Sequence, residues 1–359
     1  GLIPPELFYI CKNLIHVDLT DNDLGGELPE EAGDLVKLET LKLGGNDVEG
    51  SLPVALGKLS GLKKVDLSDN LLGGTIPPEA VKGMTSLTEF ILSDNIFSGS
   101  LPEEMGEMTH LEMLDLNRNE LTGPLPGGLF KPIKLFELKL TENHLSGSIS
   151  SEAGNLAVLE TLRLDHNEFT GQLPSELSNC ARLSEFDVED NALDGTLPPE
   201  YGALGALTKF RASGNAIEGP LPAQWCEQEG NHMKHLQELD LSSNTLTGSI
   251  PSTISNLKDL TVLSLHTNEL NGTLPDQWGD LYELRTLRLH DNDFTGIVPE
   301  STGKLINLKE MTVHSNPGLG GTVPDGVCRL KREVLEVLTS DCGGESPAIV
   351  CECCTECME

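Results

Sequence analysis

Apolar residues recur along the chain in one frame, L-x-x-L-x-L-x-x-N-x-L-x-G-x-(L/I/V)-P, with a period of 24 residues in most copies. The L-x-L step alternates apolar and polar positions, which is the pattern of a β-strand with one buried face. Self-similarity of this kind predicts a solenoid of stacked coils. Each copy is marked by an asparagine: Asn22, Asn46, Asn70, Asn95, Asn119, Asn143, Asn167, Asn191, Asn215, Asn244, Asn268, Asn292 and Asn316.

The frame also predicts how each coil turns. Parallel stacking of the L-x-L strands would build a concave sheet that grows by about 4.8 Å per repeat, or roughly 60 Å in all. The asparagine would sit in a tight turn, where its amide can bond backbone groups of adjacent coils. Glycine supplies freedom for the next turn, and G-x-(L/I)-P is predicted as a second extended stretch. The L-x-x-L remainder predicts short helical turns on the convex side.

Two domains follow from this pattern: an α/β solenoid over residues 1–327 and a cysteine-rich cap over 328–359. Residues 1–4 match the second half of a repeat, so we expect the first repeat to be truncated. One extra residue falls between Asn70 and Asn95, and five fall between Asn215 and Asn244, around residues 225–232. Insertions into solenoids form surface loops, some of which bind ligands.

The G-x-(L/I)-P element resembles the plant-specific class of leucine-rich repeats, over residues 1 to about 327. That class includes receptor-kinase ectodomains and polygalacturonase-inhibiting proteins. The resemblance implies a right-handed superhelix, an extracellular or cell-surface location and non-catalytic binding of a protein or peptide, with inhibition of a secreted hydrolase as a special case. Three features depart from the class: Ser150 replaces proline, the paired N-terminal cap cysteines are missing, and no kinase sequence is present.

Nine cysteines fall into two groups. Cys11 and Cys180 share one position of the frame several coils apart, so they cannot bridge each other and are expected to be free and buried. Cys226 lies in the insertion and has no assignment. The other six crowd the C-terminal end: Cys328, Cys342, Cys351, Cys353, Cys354 and Cys357.

An open solenoid needs a cap over its last apolar coil. Residues 335–338 are predicted as the final edge strand, covered by the cysteine tail. An even number of cysteines favours disulfides, with fifteen possible pairings. Cys328 and Cys342 flank the predicted strand, so each is expected to pair with the tail rather than with the other. Zinc binding by C-x-C-C-x-x-C is the alternative. The extracellular class favours disulfides without metal, and the tail resembles the cap of secreted leucine-rich-repeat proteins of diatoms and related algae.

Charge and motifs exclude several functions. A net charge of −33 argues against nucleic acid and anionic membranes as partners. It favours solubility, with divalent cations or a basic partner as alternatives. No apolar run reaches the roughly 18 residues of a membrane span. The chain carries no zinc-protease, nucleophile-elbow, phosphate-loop or EF-hand motif, so neither an enzyme nor a cofactor is expected. The sequon at Asn271 predicts glycosylation if the protein is secreted.

The concave face is expected to expose the side chains seven, six, four, two and one residues before each asparagine. These positions are charged, mixed in sign and almost without aromatic residues. A solvated face is one interpretation, and a ligand-binding face is the other. The candidate binding residues are Lys139, Arg163, Asp187, Lys209, Arg211, His266, Arg288, His290 and His314.

The three histidines lie two residues before the asparagine in consecutive repeats, so we expect them about 4.8 Å apart. They are either a product of repeat duplication or a pH-sensitive or metal-binding strip. We expect this strip to be the most pH-responsive surface of the chain between about pH 5 and 7.

Two function classes remain. The first is an extracellular binding module, either a receptor ectodomain or a secreted recognition protein. The second is a structural or cell-wall matrix protein that self-assembles, and light scattering against calcium concentration separates the two. Ice binding is a weaker third hypothesis, because the Ser/Thr column that would carry it is interrupted and β-propensity explains it. The oligomeric state is open.

Overall fold

The computed structural model describes residues 1–4, 6–227, 233–343 and 348–358, and it divides into two compact units, Gly1–Thr170 and Gly171–Glu359. Each unit is an α/β solenoid whose coils contain a strand before the asparagine, a second strand after it and a helical turn. The predicted fold class is therefore confirmed. Residues 228–232 of the predicted insertion lie outside the described residues.

The strands that precede the asparagines form the front sheet of each unit. All pair in parallel, and the register advances by one repeat per strand, as in Val17↔Leu41 and Phe210↔Leu239. In the first unit these strands are His16–Asp18, Thr40–Lys42, Lys64–Asp66, Glu89–Ile91, Met113–Asp115, Glu137–Lys139 and Thr161–Arg163. In the second unit they are Glu185–Asp187, Lys209–Arg211, Glu238–Asp240, Val262–Ser264, Thr286–Arg288, Glu310–Thr312, Val337–Ser340 and Glu356–Cys357.

The strands that follow the asparagines form the second sheet of each unit. They begin before the glycine of the frame, whereas the sequence placed the extended stretch at G-x-(L/I)-P. In the first unit they are Gly25–Glu27, Asp47–Ser51, Leu71–Gly74, Ile96–Gly99, Glu120–Gly123 and His144–Gly147, and Glu168–Gln172 crosses the division between the units. In the second unit, Ala192–Asp194 comes first, and the sheet consists of Glu218–Gly219, Thr245–Gly248, Glu269–Thr273, Asp293–Ile297, Gly318–Thr322 and Ile349–Val350.

The proline of the frame instead sits at the cap position that begins each helical turn. At Ser150, where proline is missing, the serine hydroxyl caps the turn by accepting from the Glu152 N–H at 3.2 Å. The 3₁₀ turns are Glu30–Asp34, Val54–Lys58, Glu103–Glu107, Gly127–Phe130, Ser151–Asn155, Ser175–Asn179, Pro199–Ala203, Ala223–Cys226, Ser252–Asn256, Asp276–Asp280 and Glu300–Lys304. The α-helices are Glu6–Ile10, Pro78–Gly83 and Asp325–Glu333. The helix Pro78–Gly83 lies in the coil with the extra residue.

The asparagine side chains tie successive coils together, as expected. Asn143 donates to the carbonyl of Leu116 in the preceding coil at 3.0 Å and to that of Leu140 at 3.2 Å, and its oxygen accepts from the Leu121 N–H at 3.0 Å. The residue before each asparagine adopts a left-handed conformation, as at Asp21 with φ 54°. Aspartate and glycine, which tolerate this conformation best, occupy seven of these thirteen positions, but Arg118, Glu142, His166 and Thr267 adopt it as well.

The C-terminal cap extends the front sheet further than predicted. Val337–Ser340 pairs with Glu310–Thr312, but Glu356–Cys357 pairs beyond it, so residues 335–338 are not part of the final edge strand. The tail folds back because two disulfides join it to the last coil: Cys328–Cys353 and Cys342–Cys357. A third disulfide joins Cys351 to Cys354.

Cys11, Cys180 and Cys226 lie outside the three disulfides. Cys180 and Cys226 are buried, and burial raises the pKa of their thiols to about 11 and about 12. Cys11 is exposed, so the expectation that it is buried was wrong. It follows helix Glu6–Ile10 in the first coil, and no described coil covers that side. Within the described residues, every helix is too short or too polar to cross a bilayer.

Candidate ligand-binding surface

The nine predicted binding residues lie on the front sheets of two different units. Lys139 and Arg163 belong to the first unit, and the other seven belong to the second. We call the front sheet of the second unit, from Glu185–Asp187 to Val337–Ser340, the recognition face. One row across this face consists of paired residues, each aligned with the next: Asp187, Arg211, Asp240, Ser264, Arg288, Thr312 and Thr339.

An aromatic core supports one end of the recognition face. The rings of Phe186 and Phe210 stack at 5.3 Å, and Tyr201 packs edge-on against both at 6.0 Å. Trp225 packs against Phe210 at 5.7 Å and donates its indole N–H to the Pro198 carbonyl at 2.9 Å. Rigid stacked rings beneath a strand hold its outward side chains in place.

Two carboxylates hold the Arg211 side chain at this end of the recognition face. Its Nε and Nη2 atoms donate to Glu238 at 2.8 and 2.9 Å, and Nη1 donates to Asp187 at 3.2 Å. The hydrogen bonds that the guanidinium donates to Glu238 raise the pKa of Arg211 above its ordinary value. Asp187 is 5% exposed because Arg211 lies against it. A ligand can therefore reach this carboxylate less easily than the sequence predicted.

Arg288 and Lys209 are also paired. Arg288 donates to Glu310 at 2.7 and 2.9 Å, which raises the pKa of the guanidinium. Lys209 lies 3.8 Å from Glu185. Sequence reasoning missed the glutamates, although the repeat places them: Glu185, Glu238 and Glu310 occupy the column six residues before the asparagine. This column also contains Lys209 and lies beside the column of Arg211 and Arg288.

In the first unit, Lys139 forms ion pairs with Glu137 and, at 3.8 Å, with Asp115. Burial raises the pKa of the Asp115 carboxyl, which the backbone N–H of Asn117 and the charge of Lys139 oppose. Arg163 follows in the next strand, aligned with Lys139. The first unit therefore also fixes its front-face lysine by neighbouring carboxylates.

Small polar residues form the floor between Arg211 and Arg288. Ser213, Ser242 and Ser264 are 5%, 4% and 0% exposed. The hydroxyl of Ser242 donates to Asp240 at 2.6 Å, which orients that carboxylate. Arg211 and Arg288 lie in the same row, separated by three strand spacings, or roughly 14 Å. That distance accommodates about four residues of an extended peptide.

The three histidines form the stack that the repeat predicted. The ring centroids of His266 and His290 are 4.4 Å apart, and those of His290 and His314 are 4.6 Å apart, with interplanar angles of 18° and 24°. Nδ1 of His290 lies 2.7 Å from the Thr312 hydroxyl. Among the described residues, Nδ1 of His266 is buried and makes no hydrogen bond.

The titration of this stack depends on its surroundings. Burial, together with the charges of His266, His314 and Arg288, lowers the pKa of His290 to about 4, and Asp291 opposes this shift. Burial also lowers the pKa of His266. His290 is therefore expected to gain its proton below pH 5, because its ring is withdrawn from solvent and lies between two imidazoles whose charges oppose its own. The pH response of the strip as a whole stays a prediction.

The described residues contain one group of three metal-ligating side chains within 4.8 Å of one another, Cys342, Cys351 and Cys354. These sulfurs belong to disulfides, and a thiolate is required to ligate metal. The histidine stack is not such a group, so one cation cannot bind all three rings. Asn271 lies exposed in strand Glu269–Thr273, where a glycan has room.

The comparisons with known proteins agree with this architecture. A model described as Leucine Rich Repeat matches residues 61–82, 110–131, 158–180, 235–257 and 283–305, and another described as Leucine Rich repeat matches 11–27. No curated protein sequence matches significantly. A leucine-rich-repeat protein of Leptospira interrogans is 32% identical, with 92% of this chain and 79% of that chain covered and a TM-score of 0.73.

The chain belongs to the leucine-rich-repeat family.

Plant receptor ectodomains resemble this leucine-rich-repeat protein even more closely in fold. A TDR receptor is 30% identical over 94% of this chain, with a TM-score of 0.86. The Arabidopsis receptor kinase HAESA, solved with the peptide hormone IDA and the co-receptor SERK1, is 30% identical over 98% of this chain, with a TM-score of 0.79. The present chain spans 57% of the length of the TDR receptor chain and 60% of that of the HAESA chain.

Proposed function

We propose that this leucine-rich-repeat protein is an extracellular, non-catalytic recognition module that binds a peptide or an extended protein segment on its recognition face. The observation that carries the proposal is the fixed polar surface between Arg211 and Arg288. Each guanidinium is held by a carboxylate in a two-bond arrangement, with a floor of serines between them. A preorganised surface loses little conformational entropy when a ligand binds.

The chemistry of the face favours a polar, extended ligand. The arginines already bond carboxylates, so neither is an open anion-binding site, and the half-buried carboxylate of Asp240 between them can accept hydrogen bonds from a ligand. Few aromatic residues face outward here, so we expect affinity from shape and hydrogen bonding rather than from aromatic anchors.

Two further observations support location and class. Three disulfides stabilise the cap, and disulfides persist in oxidising compartments. HAESA, which has the same fold, is described in complex with a peptide hormone and a co-receptor. A protein ligand, a peptide ligand and a co-receptor-like protein are therefore the partners to test.

Two identical strands provide a matched test. Thr286–Arg288 on the recognition face and Thr161–Arg163 in the first unit both have the sequence T-L-R. Binders selected from a displayed peptide library against the whole chain should lose affinity for Thr286→Trp, which obstructs the row beside Arg288. They should keep their affinity for Thr161→Trp, which places the same bulk in the first unit.

Equal binding to both variants would refute recognition by this face. If no peptide binds and light scattering of the whole chain rises with calcium, the self-assembling matrix function replaces the proposal. Circular dichroism of both variants controls for folding, because the substituted threonines are only half-buried.

A further inference from the structure

A groove on the second sheet of the first unit stands apart from the recognition face. It has a volume of about 530 Å³. Leu71 and Ile96 form its apolar walls and are 52% and 51% exposed. Single exposed apolar residues are common on protein surfaces, but two that line one concavity indicate a contact site.

The floor of the groove is backbone. Gly73 pairs with Ile96 across the sheet, and Gly50 and Gly74 lie beside it. Gly73 is buried, and a Cβ atom there would lie 3.0 Å from Cγ1 of Ile96, so the Ile96 side chain packs directly over the glycine. Glycine at this position therefore lets Ile96 lie against the backbone as one wall of the groove.

The two walls interrupt an acidic column. The position directly after the repeat asparagine is acidic on both sides of Leu71 and Ile96, and Glu49 is aligned with Leu71 across the sheet. Among the described residues, none of these acidic side chains forms an ion pair within 4.0 Å. The column reads Asp23, Asp47, Leu71, Ile96 and Glu120.

We propose that this groove binds a peptide segment of a partner protein in which an apolar side chain is flanked by basic ones. The apolar side chain packs in the groove against Leu71 and Ile96. The flanking lysines or arginines lie next to Glu49 on one side and Glu120 on the other.

Charge selects this occupant over a second copy of the chain. The protein carries a net charge of −33, so self-association through an acid-flanked groove would bring two negative surfaces together. A basic segment instead gains from the unpaired carboxylates, and the pairing weakens as salt screens it. The proposal is independent of the function assigned to the recognition face, because the groove lies wholly in the first unit.

Fluorescence anisotropy with the whole chain tests the groove. The probe is a fluorescein-labelled peptide that carries one leucine between two arginines in a glycine–serine background. We expect Leu71→Gln and Ile96→Gln each to weaken its binding about tenfold, which corresponds to about 1.4 kcal/mol of lost apolar contact. Ile297→Gln is the matched control, because Ile297 is 60% exposed on the second sheet of the second unit.

The charge arm uses Glu49→Gln, added salt and a probe with glutamates in place of the arginines, all of which should weaken binding. No binding by the parent chain, or equal binding by the parent and Leu71→Gln, would overturn the proposal. A dimer in sedimentation that Leu71→Gln abolishes would also overturn it in favour of a second copy. Thr286→Trp should leave probe binding unchanged, which separates this test from that of the recognition face.

Discussion

Oδ1 of Asp341 accepts a hydrogen bond of 2.7 Å from the backbone N–H of Ser315. Its Oδ2 accepts from the N–H of Asn316 at 3.1 Å. One coil earlier, the equivalent N–H of Asp291 donates to the carbonyl of His314 at 3.1 Å. The carboxylate therefore takes the place of the backbone carbonyls of a following coil. It ends the series of inter-coil hydrogen bonds and leaves the N–H groups of Ser315 and Asn316 with acceptors.

Asp341→Ala should loosen the last coil. Two backbone N–H groups would lose their acceptors, at a cost of about 1–3 kcal/mol. Hydrogen exchange should accelerate at Ser315 and Asn316 and fade toward the middle of the second unit. Asp293→Ala, at an exposed position of the second sheet, is the control and should leave these amides protected. Uniform acceleration along the unit would contradict a local role.

The asparagine ladder predicts a position-dependent cost. Asn143 is 6% exposed and bonds both its own coil and the preceding one, so Asn143→Ala should lower the free energy of unfolding by about 1–3 kcal/mol. Asn22 is exposed, and its amide donates to Leu19 and Thr20 of its own coil. Asn22→Ala should lower the free energy of unfolding by less, with both variants measured by urea titration. Equal costs would show that the inter-coil bond adds nothing.

The histidine stack predicts acid sensitivity. Because the pKa of His290 is about 4 in the folded protein, below the ordinary value near 6.5, the unfolded chain binds more protons between these values. The stack's contribution to stability is therefore complete above about pH 6.5 and decreases as the pH falls toward 4. His290→Gln should reduce this decrease by about 1 kcal/mol, allowing for a ring that is only half-buried.

The measurement is the free energy of unfolding at several pH values, with NMR titration of the His290 ring. The exposed His110→Gln is the control and should keep the parental pH profile. A His290 ring that titrates near its ordinary value would contradict the burial argument. So would an unchanged pH profile in His290→Gln.

Thiol chemistry should distinguish the nine cysteines. In the native protein, iodoacetamide should label Cys11 and spare Cys180 and Cys226, because burial raises the pKa of both thiols and excludes the reagent. After denaturation without reductant, all three should react. Peptide mapping should then recover the pairs Cys328–Cys353, Cys342–Cys357 and Cys351–Cys354. Stoichiometric zinc or a free thiol in the tail would refute this assignment.

Regular features were predictable because a repeat needs only its neighbours. The alternation in L-x-L determines which side chains are buried, and a fixed period determines which residues align, so the strands, the inter-coil bonds of Asn143 and the spacing of the His266–His290–His314 stack could be read directly. Irregular features were not. Cys11 and Cys180 share one place in the frame, yet only Cys180 is covered on both sides.

Sequence alone thus determined the coil, its period and the columns of residues on each face, because these depend on local patterns that recur every 24 residues. Only the tertiary structure decided which charges neutralise one another. Arg211 could have faced solvent, but Glu238 lies 2.8 Å away because the adjacent strand places it there. The pKa of His290 depends likewise on rings contributed by the coils on either side. The columns of the frame place possible partners on neighbouring strands, but distances of a few ångströms between coils decide which of them pair, and the frame does not give those distances.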